Sequence, residues 1–191
     1  VAKSPSDGYT LFMGFSTVMT TNKALYKSMA IDPVRDFSPI TQIATSQYLL
    51  VVHPSVPARS VQELVQLARS RPGELRYGSG GAGGTPHLAG ELLKRMAGID
   101  LVHVPYKGGA PGITDLIANQ VQMMFNGIPS SLPHISSGRI RALAVSSPAR
   151  VAVAPDLPTF AESGISGAEA TSWTGILAPA GTPASVIVRL N

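Results

Sequence analysis

Apolar positions in this chain gather into short runs separated by stretches of helical spacing. Residues 9–14 (YTLFMG), 101–105 (LVHVP), 121–125 (VQMMF) and 140–146 (IRALAVS) are short, apolar and bounded by Gly, Pro, Asn or Ser, which predicts strands. Two longer extended runs, 40–53 (ITQIATSQYLLVVH) and 170–179 (ATSWTGILAP), predict strands that lie side by side as a paired hinge. Between them the period changes. Val61, Leu64, Val65 and Ala68 form the apolar stripe of a helix opened by a Ser60/Glu63 capping box and stopped at Arg71-Pro72-Gly73. Leu88, Leu92 and Met96, with Ala89 and Leu93 beside them, predict a second helix whose Glu91, Lys94 and Arg95 face outward and allow a Glu91–Arg95 pair. Further helices are expected after Pro111, from 126–130 to Gly138, and after a Thr182 cap and Pro183.

Strands and helices alternating at this spacing argue for the α/β class, with a parallel sheet whose loops gather at one rim. The two hinge runs divide the chain into an inserted lobe at 46–167 and another lobe built from 1–45 and 168–191. The opening stub before the turn Pro5-Ser6-Asp7-Gly8 and the helix broken off at Asn191 suggest a chain truncated at both ends.

Composition narrows the function classes. With 191 residues and 44% apolar content the chain can bury a core, while 14% charged residues with 19 Gly and 16 Pro describe a loop-rich molecule. A net charge of +4 without any run of Lys or Arg favours attraction of small anions over a nucleic-acid footprint. Zero cysteines exclude a disulfide scaffold and a thiolate metal site. His53, His103 and His134 stand singly, without metal-ligand spacing, so no metal is implied.

The candidate chemistry sits at 77–96 (YGSGGAGGTPHLAGELLKRM). Ser79, Gly80, Gly83, Gly84 and Thr85 carry little side-chain bulk, so a ligand can collect main-chain N–H donors there, beside the positive end of the following helix. The stretch contains GxGxxG at Gly78, Gly80 and Gly83, after a strand and before a helix, leaving three readings: small-anion site, dinucleotide site and structural turn. The dinucleotide reading lacks an acid at the far end of the next strand, because Asp100 stands at its start. Ser79 and His87 lie outside any G-x-S-x-G frame and have no placed acid, so no catalytic residues are assigned. His87 either donates to a bound carboxylate or packs. Tyr106-Lys107-Gly108-Gly109-Ala110 repeats the glycine-loop pattern, with Lys107 either a point charge for an acidic ligand or a solvated surface residue. Ser16 and Thr17, in the hydroxyl-rich segment 15–22 after the first strand, are further contact candidates. Trp173 either covers a ligand or fills the hinge core.

Ordered motifs along the chain resemble the substrate-binding receptors of tripartite tricarboxylate transporters, the Bug-type extracytoplasmic solute receptors. They are DGYTLFMG (7–14), DPVRDFSPITQIA (32–44), YGSGGAGGTPHLAGELL (77–93), VHVPYKGGAPGITDLI (102–117), VQMMFNGIPSSLPHISSGRIRALAVSS (121–147), LPTFAESG (157–164) and ATSWTGILAPAGTP (170–183). The resemblance implies a two-lobed, Venus-flytrap periplasmic-binding fold that is not an enzyme and uses no cofactor. It captures a di- or tricarboxylate or related acid in the periplasm, where a signal peptide outside this chain would direct it, and hands it to membrane permease subunits. In that family the segments matching 79–87 and Tyr106, Lys107, Gly108 and Gly109 hold a carboxylate. Those matching Ser16, Thr17 and Trp173 face the ligand, and Asn126 matches a rim position where relatives often carry Asp. The first-strand Pro-Phe and Gly-Gly loop of the relatives is absent. The rivals are a dinucleotide-dependent enzyme and the effector-binding domain of a regulator.

Overall fold

The computed structural model describes residues 1–191, which divide into two units, Val1–Ser46 with Ser172–Asn191 and Gln47–Thr171. The class is α/β. The first unit is organised on β8 (Ser172–Pro179), the middle strand of an antiparallel sheet with β1 (Phe12–Phe15) and β2 (Phe37–Ser46) on either side. The Phe12 and Phe37 rings stack at 4.9 Å. After β1 the expected loop is instead a π-helical turn, Thr17–Thr21, running into α1 (Asn22–Leu25), and the Thr20 hydroxyl donates back to the Ser16 carbonyl. The short closing helix α6 (Ala184–Leu190) starts after Pro183, but Thr182 does not cap it: that hydroxyl donates to the Pro179 carbonyl at 2.8 Å.

The second unit holds β3 (Tyr48–Val52), α2 (Val61–Ser70), β4 (Arg76–Ser79), α3 (Thr85–Ala97), β5 (Val102–Pro105), α4 (Gly109–Ile117), β6 (Met123–Gly127), α5 (Ile128–Ser136) and β7 (Arg141–Val145). The extended run at 40–53 is therefore two strands broken at Gln47. The sheet order is β5-β4-β6-β3-β7, with β4 parallel to β5 and β6, and β3 antiparallel to β6 and β7. The all-parallel expectation is thus corrected by one reversed strand. Apolar runs buried on both faces do not encode direction, and β3 is such a run: Leu50 and Val52 enter one core with Tyr77, Leu93 and Phe125, while Leu49 and Val51 enter the other with Ile113, Leu116 and Met124.

The first core is roofed by α2 and α3. Ser60 Oγ accepts the Glu63 amide, and Glu63 reaches back to the Arg59 amide, one residue before the position a standard capping box serves. The stripe of α3 is rotated from the expected one. Thr85, Ala89, Gly90, Leu93 and Ala97 are buried, whereas Met96 is exposed. Small residues win the inner face because the Tyr77 ring already fills it. Glu91 consequently pairs with Lys94 at 3.2 Å, not with Arg95, and accepts the Tyr77 hydroxyl at 2.6 Å. With β4, β5 and β6 parallel, their carboxyl ends, Ser79, Pro105 and Gly127, share one rim, from which α3, α4 and α5 begin.

Candidate functional site at the rim of the second unit

Where β4 hands over to α3, the chain folds on its own polar groups. Ser79 is fully buried; its Oγ contacts the Gly81 carbonyl at 3.0 Å and His103 Nε2 at 2.7 Å. The Gly83 amide donates to His87 Nδ1 at 3.0 Å, one turn back from the first turn of α3. Gly81 and Gly83 have φ of 141° and 79°, values that glycine adopts without a Cβ penalty. These bonds close the loop from below and leave other donors free: the amides of Gly80, Ala82, Gly84 and Thr85 have no acceptor within the protein. Gly84 caps α3 without any side-chain acceptor, so the positive end of a 13-residue helix adds to the same place.

The second glycine loop abuts the first. Tyr106 donates its amide to the Ser79 carbonyl at 2.9 Å and Gly108 donates to the Gly80 carbonyl at 3.2 Å. A Cβ on Gly80 would lie 3.3 Å from the Gly108 carbonyl carbon, so the two main chains are in contact. The amides of Lys107, Gly109 and Ala110, the last two opening α4, also have no acceptor in the chain.

The side chains around these loops have distinct duties. The Tyr106 ring packs 3.2 Å from where a Cβ on Gly78 would be, and its hydroxyl donates to Asp115 at 2.9 Å; burial and that carboxylate push the phenol up to about 12. It supports the loop from behind. Lys107 is exposed. Asn126 is buried; its amide nitrogen donates to Ser130 Oγ and Ser131 Oγ, while its Oδ1 lies 2.8 Å from where a Cβ on Gly109 would stand. Thus Ser79, Gly80, Gly83, Gly84, Thr85, His87, Tyr106, Lys107, Gly108, Gly109 and Asn126 all belong to one rim. Ser16, Thr17 and Trp173 belong to the first unit: Ser16 and Thr17 follow β1, and Trp173 pairs with Thr45 on β2 and packs against Gly175.

His103 is the participant that isolated spacing conceals. It pairs with Tyr77 across β4 and β5, stacks on that ring at 4.8 Å and on His87 at 4.1 Å, and anchors Ser79. Burial, and then the neighbouring His87, hold its imidazole below the ordinary range. Burial also pushes the Tyr77 phenol up, reinforced by Glu91. Glu91 itself is raised by burial, but the Tyr77 and Lys94 bonds outweigh that and leave it low. The signal available in the sequence was Tyr77 and His103 at matching places on successive strands, which has meaning only once the register is known.

The profile of the tripartite tricarboxylate transporter family receptors matches residues 1–191. The chain belongs to this receptor family. Among solved structures, R. palustris Rpa4515 with adipate is 43% identical, with a TM-score of 0.91 over all of this chain and 64% of that one. The periplasmic binding protein BugD is 33% identical, with a TM-score of 0.86 over all of this chain and 63% of that one. MatC from Rhodopseudomonas palustris with bound malate is 29% identical, with a TM-score of 0.85 over all of this chain and 65% of that one. The chain also covers 57% of a UPF0065 protein of Pseudomonas sp. (strain P51), at 41% identity.

Tripartite tricarboxylate receptors are binding proteins, which sets aside the dinucleotide-dependent enzyme. Geometry agrees. Asp100, whose main-chain carbonyl accepts the Gly73 amide, stands at the end of β5 opposite Ser79, far from where a ribose would lie beside the glycine loop. No group of three or more His, Cys, Asp or Glu side chains is placed to hold a metal ion, and no helix is long and apolar enough to cross a membrane.

Proposed function

We propose that this chain is the ligand-holding part of a periplasmic receptor that captures a small dicarboxylate and delivers it to membrane permease subunits. The observation that carries the reading is the set of unpartnered amides in two abutting loops, Gly80, Ala82, Gly84 and Thr85 in one and Lys107, Gly109 and Ala110 in the other. Backbone donors at two helix starts suit a carboxylate, whose two oxygens accept several bonds at once. Each charge-assisted bond contributes about 1.5 to 3 kcal/mol, so a few of them reach micromolar affinity. The adipate on Rpa4515 and the malate on MatC support the ligand class. On this reading Ser79 and His87 shape the cradle from beneath, Lys107 supplies a positive charge at its exposed edge, and residues 46–167 act as the lobe that carries it.

Thermal-shift screening against adipate, malate, neutral diamides of the same length and nicotinamide dinucleotides tests the proposal. The diacids are expected to raise the melting temperature and the others to leave it unchanged. Stabilisation by the neutral diamides alone removes the carboxylate reading.

A further inference from the structure

Asn126, near the end of β6, is only 4% exposed, and the bonds of its side chain settle which way the amide points. The hydroxyls of Ser130 and Ser131 both donate to the Gly127 carbonyl, at 3.0 and 2.9 Å, so their oxygens are left to accept, and each takes a hydrogen of Asn126 Nδ2. Turned over, the amide would draw those hydroxyls off the carbonyl and set its NH2 against a rim that already offers donors. Oδ1 therefore points away from the two serines. It lies 2.8 Å from where a Cβ on Gly109 would stand, and the backbone there has no positive φ, so the missing side chain makes room for this oxygen. No protein donor reaches Oδ1. The side-chain atom sealed from solvent without a partner is His134 Nδ1, so the Asn126 oxygen keeps an opening to solvent.

An acceptor without a donor thus stands beside the amides of Gly109 and Ala110, donors without an acceptor, and the two sides do not bond each other. One small group satisfies both: a hydroxyl, which accepts from an amide through its oxygen and gives its hydrogen to Oδ1. A carboxylate oxygen has no hydrogen to give and would face Oδ1 lone pair to lone pair. An ammonium has no lone pair for the amides and would lie against the positive ends of α3 and α4. Resting on the reading of the rim as a carboxylate site, we propose that the diacid it takes carries a hydroxyl on the carbon next to the bound carboxylate, and that Asn126 Oδ1 reads that hydroxyl. The carboxylate takes the amides of the first loop, and the hydroxyl sits where Gly80 meets Gly108 and Gly109. Asn126 is the specificity-determining residue, and it discriminates without supplying a charge.

The test is calorimetry of malate, succinate and aspartate binding to the protein at about pH 7, where the carboxylates are ionised and the amine is protonated. The three share one skeleton and carry a hydroxyl, a hydrogen and an ammonium at the same carbon. Malate is expected to bind more tightly than succinate by roughly five- to a hundredfold, and aspartate no more tightly than succinate. Asn126→Leu keeps the volume, removes the acceptor and leaves the serines on the Gly127 carbonyl, so malate affinity is expected to fall to that of succinate while succinate affinity holds. Asn126→Asp keeps an acceptor and adds a charge, so both diacids are expected to weaken while the preference for malate persists. Equal binding of malate and succinate by the wild type, or tighter binding of aspartate than malate, overturns the hydroxyl assignment and leaves the carboxylate reading standing. A malate preference that survives in Asn126→Leu, or vanishes in Asn126→Asp, overturns the role of Asn126. Absence of binding by both malate and succinate overturns the carboxylate reading and the assignment with it. The wild-type comparison needs no variant to fold.

Discussion

Gly90 of α3 yields its side-chain space to Tyr77 of β4: a Cβ at position 90 would stand 2.2 Å from Cε2 of that ring. The ring is fully buried and tethered by its hydroxyl to Glu91, so it has nowhere to retreat. Gly90→Ala is therefore expected to lower stability by about 1 to 3 kcal/mol through overpacking, against the gain of roughly 0.5 to 1 kcal/mol that the same exchange gives in an unobstructed helix. The sign of the change in the urea midpoint decides between them.

The same contact shows where sequence reasoning stopped. The stripe Val61, Leu64, Val65, Ala68 is legible because a capped amphipathic helix has one apolar face. On α3 both Leu88 and Ala89 are plausible inner residues, and only the bulk arriving from Tyr77 selects the smaller set. Strand positions were legible from their apolar content, but the reversal of β3 was not, since burial on both faces erases the alternation that would reveal orientation. In the cradle, the glycines of 80–84 and the helix start were legible. The Ser79–His103 bond depends on a pairing register between strands, which no local pattern encodes.

His103 gives the fold a specific acid sensitivity. Its imidazole is held below the ordinary range in the native protein, so between that ordinary value, about 6.5, and its native value the unfolded chain binds more protons. Stability is complete above about pH 6.5 and declines as the pH falls below it. His103→Gln is expected to reduce this slope in urea unfolding followed from neutral to mildly acidic pH. Glu91, held low in the native state, adds its own loss only at lower pH, as the solution falls through the carboxylate range.

Ser79 connects that imidazole to the loop. Ser79→Ala leaves His103 Nε2 and the Gly81 carbonyl without their shared partner, and is expected to cost about 1 to 3 kcal/mol. Since the free amides beyond it lose their underpinning, diacid affinity measured by calorimetry should fall along with the unfolding midpoint.

Gly108 has φ of 99° and nothing within 4 Å of where a Cβ would be. Gly108→Ala therefore tests backbone strain without a clash, at an expected cost of about 1 to 2 kcal/mol. If the strain is relieved by letting go of the Gly80 carbonyl, diacid binding weakens by more than the melting temperature alone would suggest, and hydrogen exchange at the Gly108 amide accelerates.

The position of β3 bears on how the second unit comes into being. Its run Leu49 to Val52, wholly buried in the finished structure, leaves the ribosome first among the strands of its sheet. Its neighbours, Met123–Gly127 and Arg141–Val145, are translated about seventy or more residues later, so this apolar segment has no strand partner while those residues are added. The nascent chain thus carries a sticky tract that gains its first strand partner only when Met123–Gly127 has emerged.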